Sequence, residues 1–329
     1  MAKVFVTGPD GLLGSNVVRE LINRGHEVIA MVMKGRVPIT LQGLPLEIVY
    51  GDITLKEDII LLSKGCEYFI HIAAITDMWP SLGAHYFKVN VEGTKNAIDA
   101  AIANQVKRFI HVGSASSFGF GTLEKPGDEK ARYKSAHYKL DYLESKKIGQ
   151  DAVLDAVKNR NLPAIVVCPT FMIGPYDTKP SSGAMVIAIA KKKLPANTRG
   201  GKNWVAAKDV AFGICNALNK GRIGESYILG GENMSFKIAV SRIAKALGQK
   251  DYPQIEMPNP IIKSLGWISE KIALINGKIP KLSYPMALIA CDGHYFSPAK
   301  AIEELELPQT PIEEAVLELK QWFIENGYL

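Results

Sequence analysis

The segment Thr7-Gly8-Pro9-Asp10-Gly11-Leu12-Leu13-Gly14 constrains this chain more than any other. It follows a short apolar run, Val4-Phe5-Val6. It precedes a stretch with helical spacing, in which Leu13, Val17, Leu21 and Ile22 share one side. Three glycines at a strand-to-helix junction each answer a separate steric demand. Gly8 permits the tight turn, Gly11 lets a ligand approach the backbone, and Gly14 lets helix and strand pack closely. The helix N-terminus then offers free N–H groups and a partial positive charge, which suits a pyrophosphate. Thr7, Leu12 and Leu13 complete the cradle. Asp10 is an awkward neighbour for a diphosphate, so its side chain is expected to turn away or to cap the helix.

Past the glycines, two periods alternate. Val28 to Val32, Ile48-Val49-Tyr50, Tyr68 to Ala73, Arg108 to Val112 and Ala164 to Val167 read as strands, with helical stretches such as Val91 to Asn104 between most of them. The pattern predicts an α/β chain: a doubly wound parallel sheet, that is, a Rossmann domain, over 1–170. After Pro169 the texture changes, with Gly174-Pro175, Lys179-Pro180 and Pro195 as interruptions. A smaller, mostly helical lobe is expected from 171–202 and 231–329, with 203–230 returning to the sheet. Ile261, Leu265, Ile268, Ile272 and Ile275 fall on one helical face. Packing on the lobe's own core is the expectation for them; a membrane-surface helix and a pocket wall are the other uses.

Bulk properties exclude several classes. At 329 residues, 47% hydrophobic and 22% charged, the chain is an ordinary globular one. No apolar run reaches the ~20 residues of a membrane span, and no export leader is read, so a cytoplasmic location is expected. Cys66, Cys168, Cys215 and Cys291 show no metal-ligand spacing, so neither a metal nor disulfides are expected. The net charge of +6 is scattered and argues against a nucleic-acid partner. Lys191-Lys192-Lys193 reads as a solvated helix face.

Tyr142-Leu143-Glu144-Ser145-Lys146 carries the chemistry. Residues four apart on a helix share a face, so Tyr142 and Lys146 project together. An ammonium beside the phenol is expected to lower its pKa, letting Tyr142 donate a proton to a carbonyl oxygen or remove one from an alcohol. Lys146 is expected to hold ribose hydroxyls as well. Tyr133 and Tyr138 have no lysine four residues on. Ser114 leaves the C-terminal end of the Phe109-Ile110-His111-Val112 strand, where open α/β sheets bind ligands. No Gly-x-Ser-x-Gly elbow surrounds it, which removes a serine hydrolase. His71 and His111 lie inside apolar strands and read as core.

These segments resemble the extended short-chain dehydrogenase/reductases along nearly the whole chain. Gly51-Asp52-Ile53 is similar to the family's aspartate beside the adenine, His71-Ile72-Ala73-Ala74 to its strand end beside the cofactor, and Asn90-Val91-Glu92-Gly93-Thr94 to its Asn-Val-x-Gly-Thr helix start. Trp204 to Ala211 is similar to its aromatic-V-x-x-x-D-V-A element. The resemblance implies that Asp52, Ile53, Ala73, Ala74, Asn90, Pro169 and Thr170 meet the cofactor, although a helix N-cap explains Asn90 equally well. It implies that Ser114 hydrogen-bonds the reacting oxygen, with Ser116 as the fallback. Such enzymes occur as monomers or homodimers.

Within that superfamily, Ala73-Ala74-Ile75-Thr76-Asp77-Met78-Trp79, Val167-Cys168-Pro169-Thr170 and Ile228-Leu229-Gly230-Gly231-Glu232-Asn233 resemble dihydroflavonol reductase-like carbonyl reductases. A small-molecule carbonyl substrate is implied, with Trp79, Ser116, Tyr138, Phe171 and Met172 as candidate contacts. A nucleotide-sugar epimerase or dehydratase is the alternative; Cys168 to Ile173 is uncharged and offers a second diphosphate no partner. A non-catalytic dinucleotide sensor or scaffold is the third reading, against which stand the intact Tyr142 and Lys146. For the cofactor, the place where an NAD site carries an acidic residue holds Met31-Val32-Met33-Lys34-Gly35-Arg36. Lys34 and Arg36, with Met33 beside them, favour NADP over NAD.

Overall fold

A computed structural model describes residues 1–194, 196–249, 252 and 255–329; Pro195 lies outside the described residues. Seven strands form the main sheet: β1 (Lys3–Thr7), β2 (Glu27–Met33), β3 (Glu47–Gly51), β4 (Tyr68–His71), β5 (Arg108–Val112), β6 (Ala164–Pro169) and β9 (Ser226–Leu229). All pair in parallel, in the order β3-β2-β1-β4-β5-β6-β9. Alternate side chains bury on opposite faces, so the strands inside the sheet are largely apolar, while the edge strand β3 leaves Glu47 and Tyr50 exposed. Val4, Val6, Val28, Ile110 and Val112 pack with α1 (Leu12–Asn23), α7 (Ala207–Asn216) and α11 (Ala299–Leu305). Phe5, Ile29, Phe69, Phe109 and Val166 pack with α2 (Lys56–Leu62), α4 (Gly93–Ala103) and α5 (Asp141–Arg160). The sheet is doubly wound, and its strand order reverses between β1 and β4. A crevice therefore opens beyond their carboxyl ends.

The second lobe has a core of its own. A small sheet of β7 (Phe171–Ile173), β8 (Gly201–Ala206), β10 (Glu232–Ser235) and β11 (Gly293–His294) packs with α6 (Gly183–Ala190), α8 (Phe236–Ala246) and α12 (Ile312–Glu325). The 203–230 segment divides between the lobes. β9 joins the main sheet and α7 lies on α1, whereas β8 is the centre of the small sheet. Conversely, α11 lies within the expected substrate lobe but buries Ala301 and Leu305 on the main sheet.

The helix α9 (Asn259–Asn276) departs from its sequence expectation. Its buried residues are Ile262, Gly266 and Ala273, while Ile261, Leu265, Ile268, Ile272 and Ile275 are all exposed. The reason is steric. A Cβ on Gly266 would stand 2.5 Å from that of Ala287, so α9 meets α10 (Tyr284–Cys291) through its smallest residues. Close backbone approach selects that face over the more apolar one. The short α3 (Ala84–Phe87) runs through a widened turn, Lys88–Glu92, into α4. All four cysteines are free and buried.

Candidate active site

The turn after β1 is built by close contacts. Gly8 adopts φ +67°, and a Cβ there would lie 2.8 Å from the Ala73 backbone. A Cβ on Gly14 would collide with the Gly8 carbonyl oxygen. Around Gly11, by contrast, a Cβ would meet nothing within 4 Å. The first turn of α1 carries no side-chain cap. Room and unclaimed N–H donors together fit a diphosphate. Leu13 is buried in the core, so only its backbone can serve the cradle. The same holds for Thr7, whose hydroxyl accepts from the Ile72 and Ala73 amides and contacts His71 Nδ1 at 2.8 Å.

That contact begins a chain of polar groups. His71 Nε2 lies 3.1 Å from Thr94 Oγ1, and Thr94 donates to the Asn90 carbonyl at 2.7 Å. One proton arrangement serves all of them: Thr7 donates to Nδ1 and Nε2–H donates to Thr94. Burial agrees, pushing the His71 pKa down to about 3 and keeping the ring neutral. Asn90 is buried in the widened turn and is not a helix cap. Its side chain exchanges hydrogen bonds with Ile75 backbone N–H and C=O at 2.8 and 3.0 Å and donates to Ser145 Oγ at 3.0 Å.

Ser145 in turn donates to the Tyr142 carbonyl at 2.9 Å, fixing the first turn of α5. The Tyr142 phenol is hydrogen-bonded to Ser114, and the two side chains meet at one cavity. Ser114 Oγ also accepts from the Ser116 amide at 3.2 Å. One turn along α5, Lys146 is buried and donates to the Val112 carbonyl at 2.6 Å. Burial lowers its pKa to about 8. The electrostatics differ from the sequence expectation at this point. Burial raises the Tyr142 pKa, and the opposing effect comes from the Ser114 hydrogen bond, not from the Lys146 ammonium. The lysine is turned to the strand end.

The cavity, of about 120 Å³, is lined by residues from both lobes. Ser114, Ser116, Tyr142, Pro169, Thr170 and Phe171 are among them. Trp79, Tyr138 and Met172 are not in its wall; Tyr138 is buried, donating to Asp292 at 2.6 Å and lying 3.1 Å from His294 Nε2. Sequence reasoning missed Lys202, Asn203, Ile289, His294 and Phe296, all of which line it. Lys202 matters most. It pairs in register with His294 across the small sheet and lies 5.1 Å over the Phe171 ring. It forms no ion pair among the described residues, and burial lowers its pKa to about 8. Lys202 therefore brings to the cavity a cation that the uncharged segment from Cys168 to Ile173 does not supply. The parallel pairing of β8 and β11, 92 residues apart, is what brings this cation in, and no local signal announces it.

At the far end of the crevice, Asp52 accepts from Thr54 N and Oγ1, both at 2.8 Å, and Ile53 is buried against Gly93. Ala73 and Ala74 are half-buried at the end of β4. Met33 is exposed at the tip of β2. Lys34 pairs with Asp58 at 2.9 Å and Arg36 with Asp10 at 3.3 Å. Asp10 thus turns from the cradle toward Arg36 and does not cap α1. Both cations have carboxylate partners, which a phosphate would have to displace. Among the described residues no group of His, Cys, Asp and Glu could hold a metal ion.

Comparison with known proteins bears on the whole arrangement. The model of the NAD dependent epimerase/dehydratase family matches residues 4–230, the span of the main sheet and both sides of α5. A putative dihydroflavonol 4-reductase of Synechocystis sp. is 30% identical over 99% of this chain and 95% of its own length. A 2-alkyl-3-oxoalkanoate reductase of Stenotrophomonas maltophilia is 25% identical over 97% of this chain and 98% of its own. The crystal structure of gox2253 superposes with a TM-score of 0.87 at 30% identity, covering both chains fully. The crevice, the glycine cradle and these likenesses agree: the chain belongs to the NAD dependent epimerase/dehydratase family and is an NAD(P)-dependent oxidoreductase of the extended short-chain dehydrogenase/reductase type.

Proposed function

We propose that this protein reduces the carbonyl group of an apolar small molecule to an alcohol, with NADPH as the cofactor and Tyr142 as the proton donor. The observation that carries the reading is the cavity itself: the Ser114–Tyr142 pair stands on one side, and Met78, Leu143, Phe171, Ile289 and Phe296 supply apolar wall. The bound cofactor supplies a hydride to the carbonyl carbon. Tyr142 gives its phenolic proton to the oxygen as charge develops there, and Ser114 donates a hydrogen bond to the same atom. Burial suits that role, since a raised pKa keeps Tyr142 protonated at neutral pH. Lys146, one helical turn away, is in position to take ribose hydroxyls. Lys34 and Arg36, with no carboxylate on β2 beyond Glu27 at its start, support NADP over NAD.

Lys202 supports a finer statement about the substrate. A cation without an ion-pair partner among the described residues, in a cavity whose described wall holds no carboxylate, suits a carbonyl compound that carries an acidic group. The name of the 2-alkyl-3-oxoalkanoate reductase, 25% identical, is in keeping with this. An epimerase acting on a nucleotide sugar would bring a diphosphate, and among the described residues Lys202 is the one lysine or arginine in the cavity wall to meet it. The test is an assay with NADPH and matched pairs of oxo acids and their methyl esters, alongside nucleotide sugars. Alcohol formed in step with cofactor consumed, and acids preferred to esters, is the expected result. Conversion of nucleotide sugars alone, without net cofactor change, overturns the reductase reading. The absence of any turnover supports a binding role instead.

A further inference from the structure

The outward side of α9 is apolar: Ile261, Leu265, Trp267, Ile268, Ile272 and Ile275 face water, Trp267 at 54% and Ile275 at 87% exposure. Leu274 and, just past the helix, Ile279 extend the patch. Isolated exposed hydrophobics need no explanation, but a contiguous run on one helix does. A surface helix ordinarily turns such residues inward. Here the inward side is committed to Gly266 and Ala273, whose small size sets the contact with α10.

Charge decides what covers the patch. Residues 259–284 hold Lys263, Lys271, Lys278 and Lys281 against one carboxylate, Glu270. Glu270 is engaged, accepting a hydrogen bond from the Tyr284 amide at 2.6 Å. None of the four lysines forms an ion pair among the described residues. Lys271 lies within the apolar side, 5.8 Å over the Trp267 ring. A second copy laid against this face would bring two lysine-rich surfaces together, which is repulsive. An anionic bilayer satisfies both features. Apolar side chains sink to the acyl boundary, the aromatic ring sits at the interface, and lysines reach the headgroup phosphates.

We propose that the α9–α10 hairpin docks the protein, lying in the plane of the interface, on an anionic lipid surface. No helix among the described residues is long and apolar enough to cross a membrane, so the contact is peripheral. It is also close to the active-site cavity: Ile289 of α10 is part of the cavity wall, and Leu288 packs with the cluster that includes Tyr142.

The experiment is co-sedimentation of the full chain with vesicles, either phosphatidylcholine alone or equal parts phosphatidylcholine and phosphatidylglycerol. It needs no turnover and so is independent of the reductase reading. Two variants accompany the wild type: Ile268→Glu with Ile272→Glu and Ile275→Glu, and the four lysines changed to Gln. All the changed side chains lie at the surface or its rim, and unchanged urea midpoints verify folding. Each exposed lysine near an anionic surface is worth roughly a fivefold gain in partitioning. The expected result is binding to the mixed vesicles that falls at least ~10-fold in either variant and on neutral vesicles. Failure of the wild type to bind the mixed vesicles overturns the proposal, as does equal binding by the triple variant. A wild-type dimer in light scattering that the triple variant splits also overturns it, assigning the face to a second copy.

Discussion

The two ends of the crevice are built by opposite means. Where β5 meets α5, Tyr142, Ser114 and Lys146 are buried or half-buried: Tyr142 is held by Ser114 and, at its carbonyl, by Ser145, and Lys146 by the Val112 carbonyl. At the tip of β2, Lys34 and Arg36 are exposed at 59% and 44% and rest on single carboxylate partners. The first set cannot change without disturbing the core. The second can change freely, because exposed ion pairs contribute little to stability. On the proposed reading, reaction type is tied to the fold, whereas cofactor preference is laid over it at the surface.

The largest expected effect lies at the buried end. Tyr142→Phe should lower kcat at least ~10²-fold while leaving cofactor affinity nearly unchanged, because the ring stays and only the proton donor goes. Lys146→Met should lower both. Near-normal turnover in Tyr142→Phe breaks the comparison at its stronger side. Next in size is Gly14→Ala. Its methyl group would collide with the Gly8 carbonyl, so the turn must open. Isothermal titration should give a cofactor Kd weakened by ~10-fold or more, with a lowered Tm. An unchanged Kd would mean that the cradle does not hold the diphosphate.

A smaller effect is expected at the exposed end. Lys34→Ala with Arg36→Ala should remove most of a preference for NADPH over NADH, about 10-fold in Kd, with Tm within a degree or two. A wild-type preference for NADH contradicts this reading of the two cations. The smallest effect concerns pH. The folded pKa of Lys202 is about 8, below the usual 10.5. Between those values the unfolded chain binds a proton that the folded chain does not, so stability rises with pH through that window. Below pH 8 the half-buried charge, without an ion-pair partner among the described residues, costs stability. Lys202→Met should therefore raise the urea midpoint at pH 7, and the gain should shrink by pH 10. A gain that is constant with pH removes the titration argument.

What was legible in the sequence was local. The glycine cradle, the alternation of strands and helices, and the four-residue spacing of Tyr142 and Lys146 all lie within single elements or adjacent ones. Contacts between distant strands were not legible. Lys202 lines the cavity because β8 lies beside β7 and β11, and the sequence assigns residues 171–202 only to a mostly helical lobe. Periodicity failed in a different way at α9. It identified the apolar side correctly but carries no information about whether anything packs there. Asn90 shows a third limit: its helix position suggested a cap, whereas a widened turn makes it a clamp on Ile75.

The four buried cysteines have a practical consequence. Burial pushes every thiol pKa up, that of Cys66 to about 11, so little thiolate exists at neutral pH. A thiol reagent can modify one only after its surroundings open. Cys168 lies on β6, Cys215 on α7, Cys66 just before β4 and Cys291 at the end of α10. The native chain therefore carries four separate clocks for local opening, readable by mass as each adduct forms. Since Cys291 is the least buried of the four, at 7% exposure, its clock should run fastest, and lipid vesicles should slow it alone.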